Sequence, residues 1–174
     1  MTEIPIIETK RLRLRAHRVD DYEADCAMWA DPAVVRFIGG VPSTRQQTWS
    51  RLLTYKGHWQ AMNYGYWAIE EKSTGAFAGE IGFADFKRDI IPAMQNVPEL
   101  GFALVSDLQG KGYGTEAVNA VLAWGDAHLP SKRTVCMVNE NNIPSLRIVE
   151  KSGYRIFERS NVNGRTVLFL ERAL

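Results

Sequence analysis

The sequence predicts a mixed α/β (α+β) fold, one sheet flanked by helices, and three observations carry that prediction. Strand-like and helix-like stretches interleave along the whole chain. An apolar stretch at 100–105, Leu-Gly-Phe-Ala-Leu-Val, runs into a glycine-rich loop and then at once into a helical pattern from Glu116. Near the end, Asn163-Gly164 joins two strand-like runs, a strong hairpin signal. The chain has 174 residues, 45% hydrophobic and 24% charged, which suits a single domain over 1–174 with a substantial core.

Residues 12–15, Leu-Arg-Leu-Arg, alternate at period two. With Lys10 and Arg11 they read as a strand with one solvated basic face. Asp20 at a cap with Glu23 three residues on starts a helix that runs to about Ala30 and stops before Asp31-Pro32. Residues 34–40 form a short helical turn ending in a loop. Ser43, with Gln46 reaching back, starts a second helix carrying Trp49, Leu52, Leu53 and Trp59. Residues 66–70 are a strand turned at Ser73-Thr74-Gly75, and 77–86 its partner, where Gly79 and Gly82 suggest a bulge or a close approach. A loop at 87–96 contains Pro92, and 97–105 is the strand ahead of the glycine loop. A helix spans 115–128, ended by Pro130; a strand follows at 134–138. Residues 143–152 form a short helix stopped by Gly153, and 154–162 with 165–171 form the closing hairpin.

The bulk numbers exclude several classes. A formal net charge of +1 gives no electrostatic case for nucleic acid or an acidic membrane surface. Cys26 and Cys136 lie in separate elements, which suits a reducing cytoplasm and no disulfide framework. No apolar run reaches the ~18 residues of a membrane span, and the N-terminus shows no signal-like apolar region. His17, His58 and His128 are scattered without zinc spacing, so no metal is expected.

The chemistry centres on Gln109-Gly110-Lys111-Gly112-Tyr113-Gly114-Thr115. Glycines let a ligand approach successive backbone N–H groups, and the first helical turn adds unpaired donors and the positive end of its dipole. The stretch is a candidate phosphate cradle. It is not a Walker A loop, because Lys111 precedes the middle glycine, and Gly110-x-Gly112-x-Gly114 is not the dinucleotide fingerprint. It matches Gln/Arg-x-x-Gly-x-Gly/Ala, with Gln109, Gly112 and Gly114 in the fixed places. Downstream, Asn142-Ile143-Pro144-Ser145 and Glu150-Lys151-Ser152-Gly153-Tyr154 follow an Asn-x-x-Ser/Ala…Glu-Lys-x-Gly-Phe/Tyr pattern. In both motifs the chain resembles the GCN5-related N-acetyltransferase (GNAT) superfamily. Ser145, the entry at 9–15 and Glu99-Leu100-Gly101-Phe102 resemble its RimJ/RimL branch.

The resemblance covers nearly the whole chain and implies the GNAT acyl-CoA N-acyltransferase fold: a mixed, mostly antiparallel sheet whose central strands splay apart, flanked by helices. It also implies an acetyl-CoA-dependent N-acetyltransferase acting by direct attack on a primary amine, either a protein N-terminus or a small molecule. Another acyl donor such as succinyl-CoA, or a non-catalytic acyl-CoA-binding module, are the alternatives. The pyrophosphate would lie on the 109–114 amides and Thr115. The pantetheine would pair with the edge of Phe102, Ala103, Leu104 and Val105, and an amide of Leu104 or Val105 could polarise the thioester carbonyl. Asn142 would contact the pantetheine or cap its helix, and Ser145 would lie near the sulfur or bond its own backbone. Many members place a tyrosine acid where this chain has Val149. Glu99 is the leading base for the amine, with Glu80 and Asp85 in reserve. The aromatics from Trp49 to Phe86 are mostly core, while the 37–59 region and the 87–96 loop wall the acceptor groove. The family is often monomeric or dimeric.

Overall fold

The computed structural model describes residues 3–173. Its elements are β1 (Ile7–Glu8), β2 (Leu12–Arg15), α1 (Tyr22–Ala30), α2 (Pro32–Val35), α3 (Arg45–Met62), β3 (Tyr66–Glu71), β4 (Phe77–Ala84), β5 (Glu99–Leu104), α4 (Tyr113–His128), β6 (Arg133–Asn139), α5 (Ile143–Lys151), β7 (Arg155–Val162) and β8 (Arg165–Ala173). They build one eight-stranded sheet in the order β1-β2-β3-β4-β5-β6-β8-β7. All neighbours are antiparallel except β5 and β6, which run parallel and share the single pair Glu99↔Val135. The sheet is therefore mixed and mostly antiparallel, and it splays at its centre.

Alternation divides the sheet into two unlike faces. One carries Leu12, Leu14, Trp67, Ile69, Ile81 and Phe83, all fully buried. Burying a ring such as Phe83 contributes up to about 3 kcal/mol. The helix α4 covers this face because Ala117, Val118, Val121 and Leu122 recur at helical spacing and are buried. Trp67 stands edge-on to Trp59 of α3 (4.7 Å) and Trp124 of α4 (5.0 Å). The other face is polar although buried. It carries Arg15, Glu70, Glu80 and Glu99 beneath α1 and α3.

Local chemistry sets the ends of the elements. The helix α3 starts at Thr44, whose hydroxyl accepts from Gln47 N–H (3.2 Å) while the Gln47 side chain accepts from Thr44 N–H (2.8 Å). The reciprocal cap is of the expected kind but one residue later than Ser43 and Gln46. Asp20 and Glu23 do not cap α1. The carboxylate of Asp21 instead accepts from Arg18 N–H (2.7 Å) and forms a two-pronged pair with Arg15 (2.7 and 2.8 Å). Arg15 also reaches Glu70 at 2.7 Å. The expected solvated basic face therefore ends at Arg15, which is buried between two carboxylates. Burial raises the Asp21 carboxyl, and the Arg15 bonds outweigh that and hold it below its ordinary range. The final hairpin turns on Asn163 (φ 51°) and Gly164 (φ 79°), both left-handed as an Asn-Gly turn requires. Gly79 and Gly82 do mark close approaches: a Cβ would collide with the Ala103 carbonyl at Gly79 and with the Gly65 carbonyl at Gly82.

Candidate active site

The seam between β5 and β6 positions the site. Val105 N–H donates to Ala78 O at 3.0 Å, which fixes the alternation of the β4–β5 ladder. The N–H groups of Phe102 and Leu104 therefore turn to the opposite edge, into the seam. This corrects one expectation: the Val105 amide is bonded inside the sheet, so of Leu104 and Val105 it is Leu104 whose N–H faces the gap. The Leu104 carbonyl accepts from the Gln109 side chain at 3.0 Å. Gln109 N–H donates to Ser106 O at 3.1 Å, so its backbone amide is also taken. Gln109 thus braces the loop against β5.

Beyond Gln109 the chain turns through Gly110 (φ +72°) and Gly112 (φ +84°), a left-handed path that a side chain would strain. The first bond of α4 runs from Glu116 N–H to Gly112 O (3.1 Å), so Tyr113, Gly114 and Thr115 precede any helical acceptor for their N–H groups. Those amides and the helix dipole face one point. Arg11 holds the loop from behind. It donates to Lys111 O (3.0 Å) and Glu116 (2.7 Å) and lies 4.0 Å over the Tyr113 ring. Glu116 also accepts from Thr9 Oγ1 (2.6 Å) and Arg11 N–H (2.7 Å), and Tyr113 Oη donates to Glu71 (2.7 Å). The sequence carried no local signal for this anchor, because its partners lie a hundred residues apart.

A cavity of about 670 Å³ opens along the seam. Among the expected site residues, Glu99, Phe102, Ala103, Asn142 and Ser145 line it, as does Glu80. The residues at 109–115 lie past the end of β5 and do not line it; neither does Asp85, which pairs with Lys87 at 2.6 Å. Both expected walls contribute: Phe37 and, from α3, Arg51 and Tyr55 from the 37–59 region, and Arg88 from the 87–96 loop. Asn142 Oδ1 accepts from Ser145 N–H at 3.3 Å, capping α5. Val149 is fully buried in the wall one turn beyond Ser145.

The carboxylates differ in environment. Both oxygens of Glu99 accept from Arg88, at 2.7 and 3.1 Å. Glu80 is 1% exposed; one oxygen accepts from Tyr55 Oη at 2.6 Å, and the other finds no donor among the described residues. Asp25 of α1 is wholly buried and both its oxygens lack donors. Burial, then the Glu80 charge, pushes the Asp25 carboxyl up to about 8. Burial likewise raises the Cys136 thiol in the cavity wall, which disfavours a thiolate there. Among the described residues no cluster of His, Cys, Asp or Glu is placed to hold a metal ion, and no helix is long and apolar enough to cross a membrane.

The architecture has known counterparts. A structure from Bordetella pertussis named for the GnaT family of acetyltransferases is 31% identical, with a TM-score of 0.86, covering 98% of this chain and all of that one. The uncharacterised N-acetyltransferase YoaA of Bacillus subtilis (strain 168) is 27% identical over 152 residues, which are 87% of this chain and 83% of YoaA. RimL, the ribosomal L7/L12 alpha-N-protein acetyltransferase solved with coenzyme A, shares the fold (TM-score 0.77, covering 98% of each chain) at only 17% identity. The family model of the acetyltransferase (GNAT) domain matches residues 11–155. A match over that much of the sequence, on a sheet split at the same two strands the motifs pointed to, makes the chain a member of the GNAT acetyltransferase family.

Proposed function

We propose that the chain transfers the acetyl group of acetyl-CoA to a primary amine, by direct attack within a ternary complex. The observation that carries this reading is the seam. Two strands part after one residue pair, the N–H groups of Phe102 and Leu104 face the gap, a cavity opens in it beside Phe102, and the N-terminus of α4 follows past the end of β5. The amide-rich pantetheine arm fits such an edge as an added strand. Its pyrophosphate meets the amides of Tyr113, Gly114 and Thr115 and the backbone at Gly110, Lys111 and Gly112. Leu104 N–H polarises the thioester carbonyl, Asn142 stands beside the pantetheine, and Ser145 donates to the departing thiolate.

In the step itself the amine nitrogen attacks the carbonyl carbon, the C–S bond breaks, and the proton released from nitrogen must find a base. Glu99 takes it through a water, since Arg88 already holds both its oxygens. The acceptor is a peptide α-amine or a small-molecule amine, and the two buried free cysteines suit a reducing cytoplasm. Thermal shift and thiol release on Glu99→Gln test the reading. Stabilisation by acetyl-CoA should match wild type while kcat falls about 10²–10⁴-fold. An unchanged kcat across pH removes Glu99 as base, and no stabilisation of the wild type by acetyl-CoA removes the donor site.

A further inference from the structure

Tyr66 belongs to the aromatic-rich stretch that the sequence assigns mostly to core, and it is buried beside Tyr55 and Ala84, yet it also lines the cavity. The register puts Tyr66, Gly82 and Gly101 opposite one another across β3, β4 and β5. Residues in one such row share a face of the sheet. Neither glycine has a side chain to occupy that row, so the tyrosine ring lies along it. A Cβ on Gly101 would overlap the Tyr66 hydroxyl, and one on Gly82 would overlap Tyr66 Cα. The hydroxyl thus reaches across two strands to β5, the strand that borders the seam, two residues along from Glu99.

The ring is held there firmly. It stacks face to face on Tyr55, with centroids 4.2 Å apart and planes 2° from parallel. The two phenols then differ. Tyr55 Oη is bound to Glu80 at 2.6 Å, whereas Tyr66 Oη makes no hydrogen bond to any described residue and Tyr66 lines the cavity beside Gly101 and Glu99. Burial, then the nearby Glu99 and Glu80 charges, keeps the Tyr66 phenol protonated throughout the working range. A neutral hydroxyl can both give and accept a hydrogen bond there.

We infer that Tyr66 is a further catalytic residue of the transfer, its hydroxyl holding the acceptor nitrogen in line with the thioester carbonyl carbon. This rests on the acetyl-transfer reading above. The attacking amine keeps one N–H on Tyr66 Oη and sends its other proton towards Glu99, so Tyr66 neither gains nor loses a proton.

The test uses Tyr66→Phe in the full chain, which keeps the stack and removes one oxygen. Gly101→Ala, which keeps the hydroxyl and fills its notch, is the second variant. Acetyl-CoA affinity is read by calorimetry, and thiol release is read with methylamine, a serine-initiated tripeptide and free methionine. The expected result for Tyr66→Phe is unchanged melting and acetyl-CoA affinity with a roughly 10- to 100-fold loss of kcat/KM for the amine. Gly101→Ala should show the same amine-side loss. Tyr66→Phe with wild-type kcat/KM overturns the inference, and so does a loss confined to acetyl-CoA affinity. A wild-type chain that binds acetyl-CoA but releases thiol with none of these amines overturns the transfer reading and this inference together. One that binds no acetyl-CoA overturns the donor site first.

Discussion

Replacing Asp25 by Asn should flatten the pH dependence of stability above neutrality. Asp25 on α1 faces Glu80 on β4, Arg51 on α3 supplies the nearest favourable charge, and Asp21 adds a weaker unfavourable one. Neither Asp25 oxygen has a donor, and a buried carboxylate in that position is better replaced by the neutral acid. As an acid, Asp25 donates to the oxygen of Glu80 that otherwise has none. In the folded chain the Asp25 carboxyl titrates at about 8, against 3.8 ordinarily, so the folded state keeps a proton that the unfolded chain has released. Stability is then full at low pH and lost as pH rises through the folded value.

His17 works the other way. Burial lowers it from 6.5 to about 4, so the unfolded chain holds the extra proton and stability climbs with pH until about 6.5. Below that point the two groups oppose each other; above it the acid pair acts without His17. From pH 6.5 to 8, ~1.5 pH units at about 1.4 kcal/mol each give a loss on the order of 2 kcal/mol. Urea denaturation across that window should show this loss in the wild type and less than half of it in Asp25→Asn, whose amide still donates to Glu80. Equal slopes in the two chains would refute the shared proton.

Two further outcomes follow from the backbone and the loop anchor. Gly79→Ala places a methyl against the Ala103 carbonyl at φ +149°, so it should lower stability by roughly 2–4 kcal/mol in thermal or urea unfolding; a loss under about 0.5 kcal/mol would mean that β4 shifts freely. Arg11→Ala removes the brace behind Lys111 and Glu116, so the acetyl-CoA Kd from calorimetry should rise roughly tenfold with little change in melting temperature. An unchanged Kd would show that the loop keeps its shape without Arg11.

The order of elements was legible because hydrophobic period, glycines and prolines are local signals. Every α-helix and every strand longer than two residues overlapped an expected segment, while the one-turn 3-10 helices at Pro92–Met94 and Ser106–Leu108 and the strand β1 were missed, being too short to show a period. The α3 cap was off by one because Ser43-Thr44 and Gln46-Gln47 offer the same pattern twice, and only packing chooses between them. The loop motif located the end of β5, but not that Gln109 would turn back onto Leu104. Tyr66 across Gly82 and Gly101 is set by strand register, and Arg88 with Glu99 by the path of the loop after β4; neither leaves a mark in its own neighbourhood. For the same reason Arg15 read as a surface charge: period two gives the face, and nothing nearby says that Asp21 and Glu70 close over it.

The single pair Glu99↔Val135 also has a mechanical meaning. Five strands lie on one side of it and three on the other, so the sheet behaves as two plates riveted at one point and clamped by helices. Stiffness along the strands is high within each plate and low between them. An extended amide chain laid into the gap would act as a splint, turning two plates into one board. With such a chain in place the joint at Glu99 and Val135 would stiffen, and its departure would free the two plates again.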